Sequence, residues 1–501
     1  MKAHITLVNP PQTSGAPESG FIPLGIGYLA AVLEDNGYAV DVIDCQVQKH
    51  TKRELESELT RLQPDIIGIT STTLTFKSAT EIVKTAKETC PDSLTILGGP
   101  HVTVLDEQTL REQPEVDIVV RGEGEQTLLE LADLASKANL KDLEEVVGIT
   151  FRKNGQIVQT PDRPFIQNID ELPYPAFKHF DVSKYRIFGK TYLPVITSRG
   201  CPFQCTFCLA SRMCGRRFRA RSPKNVVDEL EFLRDTYEAE AFSFYDDTFT
   251  FDRKRAREIC KEMKNRKVDL QWDCRTRVDR ITKEDLAILR DANCQLIHFG
   301  VESGSQKMLD AMKKGTTVEQ NERAIKWAKE VGISVAISVV VGYPGETTDM
   351  LQQTLDFIYK TQPDYVYMCV AIPYPGTELY DHLKDLGWEI SPKWYHYDEQ
   401  TLVFNNPLMS AEDISEMRRT FFNKFFSISY LLRKSLKRDF YSQIMARSAL
   451  NHILWRIKLP RLVSATFKKL PLKQKDQQET LLASKGSLTS CRQVHQINVI
   501  I

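Results

Sequence analysis
The chain has no net charge: 66 Lys and Arg balance 66 Asp and Glu over 501 residues. Binding nucleic acid through overall charge needs a basic surplus, so that class is excluded. No run of about 18 apolar residues occurs, so no membrane-spanning helix is expected. The opening stretch, Met1 to Pro10, reads as a short strand and a turn, and lacks the longer apolar core of a signal peptide. Cysteine is sparse, with 11 in 501 residues, and Cys45, Cys260, Cys294 and Cys369 stand singly in apolar runs where core packing accounts for them. A disulfide framework is therefore excluded, and a reducing cytoplasm is the expected compartment. No GxGxxG follows the first strand, which disfavours a dinucleotide. No repeat of solenoid length occurs.

What is present is a strand–helix alternation in two series. The first has strands at Ile5–Val8, Ala39–Ile43, Ile66–Thr70, Thr95–Leu97 and Ile118–Val120, with helices such as Gly25–Asn36 and Ser78–Glu88 between them. Short apolar strands alternating with helices predict a doubly wound, Rossmann-like parallel sheet, which binds ligands beyond the carboxyl ends of its strands. The loops there, 9–15, 70–73, 98–101 and 121–125, are rich in Gly and hydroxyl residues. Taken together they suit a platform for a large ligand. A hairpin over Thr150–Val158 and a Pro-rich linker follow. From Leu193 a second series predicts a partial (β/α)6 barrel. Its strands are Leu193–Thr197, Ala241–Tyr245, Leu270–Cys274, Leu296–Val301, Ser334–Val341 and Tyr365–Ala371. The expected domains are 1–145, a linker at 146–185, the barrel at 186–410, a basic helical region at 411–475 and a disordered tail at 476–501.

The loop after the first barrel strand carries Cys201, Cys205 and Cys208 as CxxxCxxC. Three thiolates can hold three irons of a four-iron cluster and leave the fourth open to substrate. Structural zinc needs four ligands, and Cys214 is the one further cysteine close by in sequence. A zinc-stapled binding protein is thus the non-enzyme alternative.

CxxxCxxC with Phe207 before its last cysteine, together with Arg221–Glu229, Phe244–Phe249, His298–Ser303, Gly342–Glu346 and Pro373–Thr377, resembles the radical SAM barrel. Pro23–Gly27, Gly98–His101 and Gly122–Glu125 resemble its cobalamin-binding domain. The chain is similar, over residues 1–410, to cobalamin-binding radical SAM enzymes of the class B methyltransferase type. That resemblance implies a 4Fe-4S cluster on Cys201, Cys205 and Cys208, whose open iron chelates S-adenosylmethionine (SAM). It implies SAM contacts from Phe207, from Asp246 and Asp247 to the ammonium group, from Glu302 and Ser303 to the ribose, and from Gly342 and Pro373 to the nucleoside. Arg275 and Arg277 meet the SAM carboxylate or an anionic substrate, or pair with acids. Cobalamin contacts are implied for Leu24, Gly25, Ser71, Thr72, Gly98, Gly99, Pro100, Gly122 and Glu123. Many cobalamin domains carry Asp-x-His-x-x-Gly after the first strand, with a cobalt-ligating histidine. Here no histidine occupies that region, and His101 is a substitute ligand or a backbone or phosphate contact.

The implied reaction is methylation of an unactivated carbon by a 5′-deoxyadenosyl radical and methylcobalamin. The alternative keeps both cofactors for a radical cyclisation or oxidation of the anaerobic tetrapyrrole cyclase type. A methylthiotransferase needs further cluster cysteines in the amino-terminal domain, where only Cys45 and Cys90 occur. Expected partners are a small apolar or anionic substrate and an electron donor, a reductase or a flavodoxin or ferredoxin, with no nucleic acid. The basic, aromatic stretch from Tyr430 to Tyr441 reads as amphipathic helices that either cap the barrel or touch a membrane surface.

Overall fold
The computed structural model describes residues 2–12, 21–137, 140–187 and 189–456. They form two bodies, which divide between Ala411 and Glu412. The expected tail, the segment 457–475 and residues 13–15 of the first loop lie outside the described residues.

In the first body, β1 (His4–Asn9), β2 (Ala39–Asp44), β3 (Ile66–Thr70), β4 (Leu94–Gly98) and β5 (Ile118–Val120) form a parallel sheet in the order β2-β1-β3-β4-β5. Ile5, Leu7, Ile66, Ile67, Leu97 and Val119 are buried, as expected of strands covered by helices on both faces. Chain order reverses between β1 and β3, and such a switch point opens a crevice at the carboxyl ends of the strands. The sheet does not stop at β5. A hairpin of β6 (Ile149–Lys153) and β7 (Gln156–Gln159) joins it, with β6 antiparallel to β5. Asn154 and Gly155 at φ 53° and 78° make its left-handed turn. Arg121 fastens the hairpin, donating to Ile149 O at 2.6 Å and Thr160 O at 2.5 Å. That side chain is therefore spent on the fold.

The second sheet begins with the short antiparallel pair β8 (Arg186–Ile187) and β9 (Lys190–Val195). Beyond it β10 (Ser198–Arg199) and β11 (Arg219–Ala220) form a separate ribbon that frames the cysteine loop. The sheet continues through β12 (Ala241–Phe244), β13 (Gln271–Thr276), β14 (Cys294–Glu302), β15 (Ser334–Val341) and β16 (Tyr365–Val370). From β9 to β16 all neighbours are parallel and in sequence order, which is the partial (β/α)6 barrel expected. The intervening helices start at capping residues. Ser222, Thr282, Thr317 and Thr347 each accept a backbone N–H of the first turn, and Pro223 occupies the first helical position. The first barrel strand ends at Val195 rather than Thr197, because Asp246 takes the Thr197 N–H that would have continued the ladder.

The second body contains helices Ala411–Phe425, Ile428–Ser435 and Phe440–Arg456 around Phe422, Phe426, Tyr430 and His452. No described helix is long and apolar enough to cross a membrane. Ten described cysteines are all free of disulfides. Cys45, Cys260 and Cys294 are buried as expected, whereas Cys369 is half-buried and donates to Glu399 Oε2 at 3.3 Å.

Candidate active site
The three cysteines lie on the loop between β10 and β11, at the carboxyl ends of the barrel strands. Gly200 lets that loop turn: its φ is +90°, and a Cβ there would lie 2.2 Å from Arg217 O and 3.0 Å from Cys214 O. The Cys208 N–H closes a turn on Cys205 O at 3.1 Å, and the Cys201 N–H donates to Gly215 O at 3.1 Å. Between them Thr206 anchors the loop, sharing a hydrogen bond with the Tyr343 hydroxyl at 2.7 Å and accepting the Leu379 N–H at 2.9 Å. All three cysteines are half-buried, and their thiols are close enough to perturb one another electrostatically. Burial and the Asp247 charge push Cys208 up, and burial pushes Cys201 up, so a metal must displace their protons to bind. Among the described residues no three His, Cys, Asp or Glu side chains converge on one metal ion. Three thiols on one short loop are the soft donors that an iron–sulfur cluster takes, one per iron, and the donor set thus fits a cluster. Cys214, pushed up to about 12 by burial, lies beyond the triplet, and its carbonyl accepts from Arg219 at 2.8 Å.

Asp246 and Asp247 have different surroundings. Asp246 is fully buried and accepts Thr197 N at 2.7 Å, Thr197 Oγ1 at 2.5 Å and Ser198 Oγ at 2.5 Å. Both its oxygens hold the strand end that leads into the cysteine loop. Asp247 is half-buried, and burial with the neighbouring Asp246 charge raises its carboxyl to about 6. Its field reaches Cys201 and Cys208.

Glu302 ends β14 after a register shift, with φ +64°, a conformation that costs a residue with a side chain. The buried Lys314 donates to Glu302 Oε1 at 2.7 Å, and Gly300 makes the space: a Cβ there would lie 2.7 Å from the Lys314 nitrogen. Ser303 is buried and shares its hydroxyl with Thr354 at 3.0 Å. Gly342 follows β15 at φ +73°, where its N–H donates to Glu346 at 2.6 Å and its carbonyl accepts from Asn406 at 3.1 Å. Burial raises Glu346 to about 7. Pro373 is buried just after β16, and Phe207 is half-buried on the cysteine loop. Arg277 pairs with Asp279 at 2.9 Å, lies over Phe203 at 3.7 Å and reaches 4.0 Å from Cys205 Sγ. Arg275 is held over the Tyr245 ring at 4.1 Å.

On the first sheet the loops after β3, β4 and β5 come together. Gly99, at φ +101°, packs on the loop after β3: a Cβ would lie 2.6 Å from Ser71 O and 2.8 Å from Ser71 N. Ser71 O also accepts the His101 N–H at 3.2 Å, and Thr72 shares its hydroxyl with Thr75 at 3.1 Å. Gly98 ends β4, Pro100 opens the short helix Pro100–Val104, and Leu24 and Gly25 open the helix after β1. A Cβ on Gly25 or Gly122 would meet nothing within 4 Å, so the edge keeps room in front of it. His101 is buried between Phe76 at 4.3 Å and Trp394 at 5.0 Å, and burial lowers it to about 3. Its Nδ1 lies 3.2 Å from Thr73 Oγ1, while Nε2 has no protein partner. The open glycine edge and this orphaned ring nitrogen fit a large polar ligand such as cobalamin.

Glu123 departs from the expectation of a ligand contact. Its carboxylate accepts Arg199 at 3.1 Å, both Arg219 Nη atoms at 2.9 and 2.8 Å, and the Ile166 N–H at 2.9 Å. Glu125 takes the other Arg199 nitrogen at 2.7 Å, and the guanidinium lies 5.0 Å from the Tyr28 ring. Burial raises the Glu123 carboxyl, but the Arg219 hydrogen bonds and the two guanidinium charges outweigh it and hold the group below the usual carboxylate range. Arg199 directly precedes Gly200 and Cys201. The cluster of charges therefore joins the first sheet's edge to the cysteine loop. A second contact joins them where a Cβ on Gly376, after β16, would lie 2.8 Å from Val104. Sequence reasoning missed Lys314, Arg199, Arg219, Thr206 and Trp394. The two glutamates of Gly122–Glu125 opposite the arginine before Cys201 were the one sequence signal for the clamp.

Residues 195–358 match the radical SAM superfamily model, and residues 16–132 match the B12 binding domain. The chain is 35% identical over 419 residues to an uncharacterized methyltransferase of Pyrococcus horikoshii, covering 84% of this chain and 90% of that one. It is 32% identical to the anaerobic magnesium-protoporphyrin IX monomethyl ester cyclase of Rubrivivax gelatinosus, covering 87% and 80%. The radical S-adenosylmethionine methyltransferase TsrM from Kitasatospora setae, solved with cobalamin and a [4Fe-4S] cluster bound, superposes with TM-score 0.65 at 21% identity. That match covers 77% of this chain and 78% of TsrM, and shows a shared fold. The chain belongs to the cobalamin-binding radical SAM enzymes, a family with methyltransferases among its members, whose cofactors are a 4Fe-4S cluster, S-adenosylmethionine and cobalamin.

Proposed function
We propose that this protein methylates an unactivated carbon of a small apolar or anionic substrate. The clamp of Glu123 and Glu125 on Arg199 carries the joint use of both cofactors, and the 35% identical methyltransferase relative favours methyl transfer as the outcome. The clamp ties the ligand edge of the cobalamin sheet to the loop that holds the cluster cysteines, within one body. When bound, the cluster supplies the electron that cleaves SAM to a 5′-deoxyadenosyl radical, and cobalamin supplies the methyl group. The chain's own groups orient and exclude water. Cys201, Cys205 and Cys208 hold the cluster. Asp247 receives the SAM ammonium group, a charge-assisted contact, while Asp246 positions the strand end beneath it. Glu302, held by Lys314, faces the ribose hydroxyls, and Gly342 and Pro373 lie against the nucleoside. Ser303 supports that rim through Thr354. Leu24, Gly25, Ser71, Thr72, Gly98, Gly99, Pro100 and Gly122 form the cobalamin edge, with the neutral His101 a hydrogen-bonding contact. The functional units are residues 1–145 and 186–410, with the linker 146–185 between them. The electron donor is a flavodoxin, a ferredoxin or a reductase, and the compartment is the cytoplasm.

The test is anaerobic reconstitution with methyl-labelled SAM, cobalamin, a reductant and cell extract, followed by mass analysis. Methylation yields a labelled product together with both 5′-deoxyadenosine and S-adenosylhomocysteine. A product without label, and deoxyadenosine without S-adenosylhomocysteine, would replace this reading with radical cyclisation or oxidation, which the cyclase relative keeps in view.

A further inference from the structure
The helix Ile428–Ser435 of the second body has an inverted surface. Ile428, Leu432 and Leu436 recur every fourth residue and so share one face. They are 63%, 59% and 84% exposed, more than any other large apolar side chain among the described residues. The opposite face buries Tyr430 and a lysine, Lys434. A helix that only capped its own body would show the reverse pattern. Charge is segregated around the stripe as well. Arg433, Lys437 and Arg438 are exposed beside it, and between Glu416 and Asp476 the one acidic side chain is Asp439. The chain is neutral only as a whole: this stretch carries a large basic surplus, matched by an acidic surplus in the rest of the sequence.

We propose that this face docks on an anionic lipid bilayer, with the three aliphatic side chains entering the headgroup–acyl boundary and the flanking Arg and Lys meeting lipid phosphates. Apolar insertion beside a basic flank is how an interfacial helix binds. A symmetric contact of two copies through this face would set one basic patch against another. Residues 457–475, with six Lys and Arg and no acid, would be repelled in the same way. Charge complementarity thus selects an anionic surface.

The test uses the full-length reconstituted protein in flotation with vesicles of phosphatidylcholine alone or mixed with phosphatidylglycerol. Binding to the mixed vesicles should be at least about tenfold stronger and should fall as salt rises. The variant Leu432→Ser/Leu436→Ser should lose about tenfold or more of it, and Lys437→Gln/Arg438→Gln should lose mainly the salt-sensitive part. Both should keep wild-type circular dichroism and deoxyadenosine output. No vesicle binding, equal binding to both lipids, or an unaltered serine variant overturns the proposal. So does an oligomer in sedimentation equilibrium that the serine variant abolishes, since the stripe would then be a protein contact. The wild-type lipid and salt comparison stands even if a variant folds poorly.

Discussion

Removing the Glu123 carboxylate tests whether the two cofactor edges are held together by charge. The side chain is 8% exposed and accepts four hydrogen bonds, three of them from guanidinium groups. Deleting one member of a buried ion pair costs about 3–5 kcal/mol, because the partner charge stays buried. Glu123→Ala leaves Arg219 with the carbonyls of Ile166 and Cys214, at 2.6 and 2.8 Å, and the Phe165 ring at 5.0 Å, none of which carries a balancing charge. Arg199 keeps Glu125, so the lower half of that range, about 3–4 kcal/mol, is expected. This corresponds to local opening on the order of a hundredfold to a thousandfold more frequent. Native-state hydrogen exchange reads it directly. Peptides containing Arg199–Cys208 and Gly122–Leu128 should exchange faster by that factor, while the buried strand β15 should not change. Methyl transfer should fall further than SAM cleavage, because the cluster stays bound while its placement against the cobalamin edge loosens. The pH dependence has a definite sign. The folded-state carboxyl sits below its usual range, so its contribution is present above that range and lost as pH falls through the depressed value. The gap between wild type and variant should therefore close in acid. Exchange within about threefold of wild type in both peptides at neutral pH (less than about 1 kcal/mol), or uniform acceleration across β15 as well, would refute the clamp.

Gly200→Ala should cost the chain more than half of its cluster iron, measured after anaerobic reconstitution, because its Cβ would overlap Arg217 O at 2.2 Å on a left-handed backbone. Cys205→Ala should abolish deoxyadenosine formation and leave cobalamin binding intact. Cys214→Ser should keep wild-type iron content, and loss of iron from it would make Cys214 a ligand. Gly99→Val should push the Ser71–Thr72 loop away and weaken cobalamin binding at least about tenfold, roughly 1.4 kcal/mol, with reductive SAM cleavage spared. Equal cobalamin affinity in a titration would remove that loop from the site.

Much of the fold is legible locally. The strands Ile66–Thr70, Ile118–Val120 and Ser334–Val341 have the bounds expected from their apolar patterns, and the helices Pro223–Tyr237, Arg253–Asn265 and Thr348–Thr361 start directly after the capping residues Ser222, Asp252 and Thr347. These signals are contained within a few neighbouring residues. The hairpin 149–159 shows the limit. Its turn is plain from Asn154-Gly155, but its union with β5 depends on which edge lies nearby. The loops after β4 and β5 also proved partly helical, with Pro100 and Glu125 starting helices.

The sequence by itself determined the chemistry that can be performed, because CxxxCxxC confines three thiols to one short loop whatever surrounds it, and the strand periodicities place that loop at a barrel rim. Only the tertiary structure decided which charges serve the ligand and which serve the fold. With 66 basic and 66 acidic side chains, partners far apart in sequence cannot be paired from composition. Asp246 binds Thr197, Glu123 binds Arg199 and Arg219, and Glu302 binds Lys314. Burial makes each of those pairings obligatory, since an unpaired charge in the interior costs more than the fold can bear.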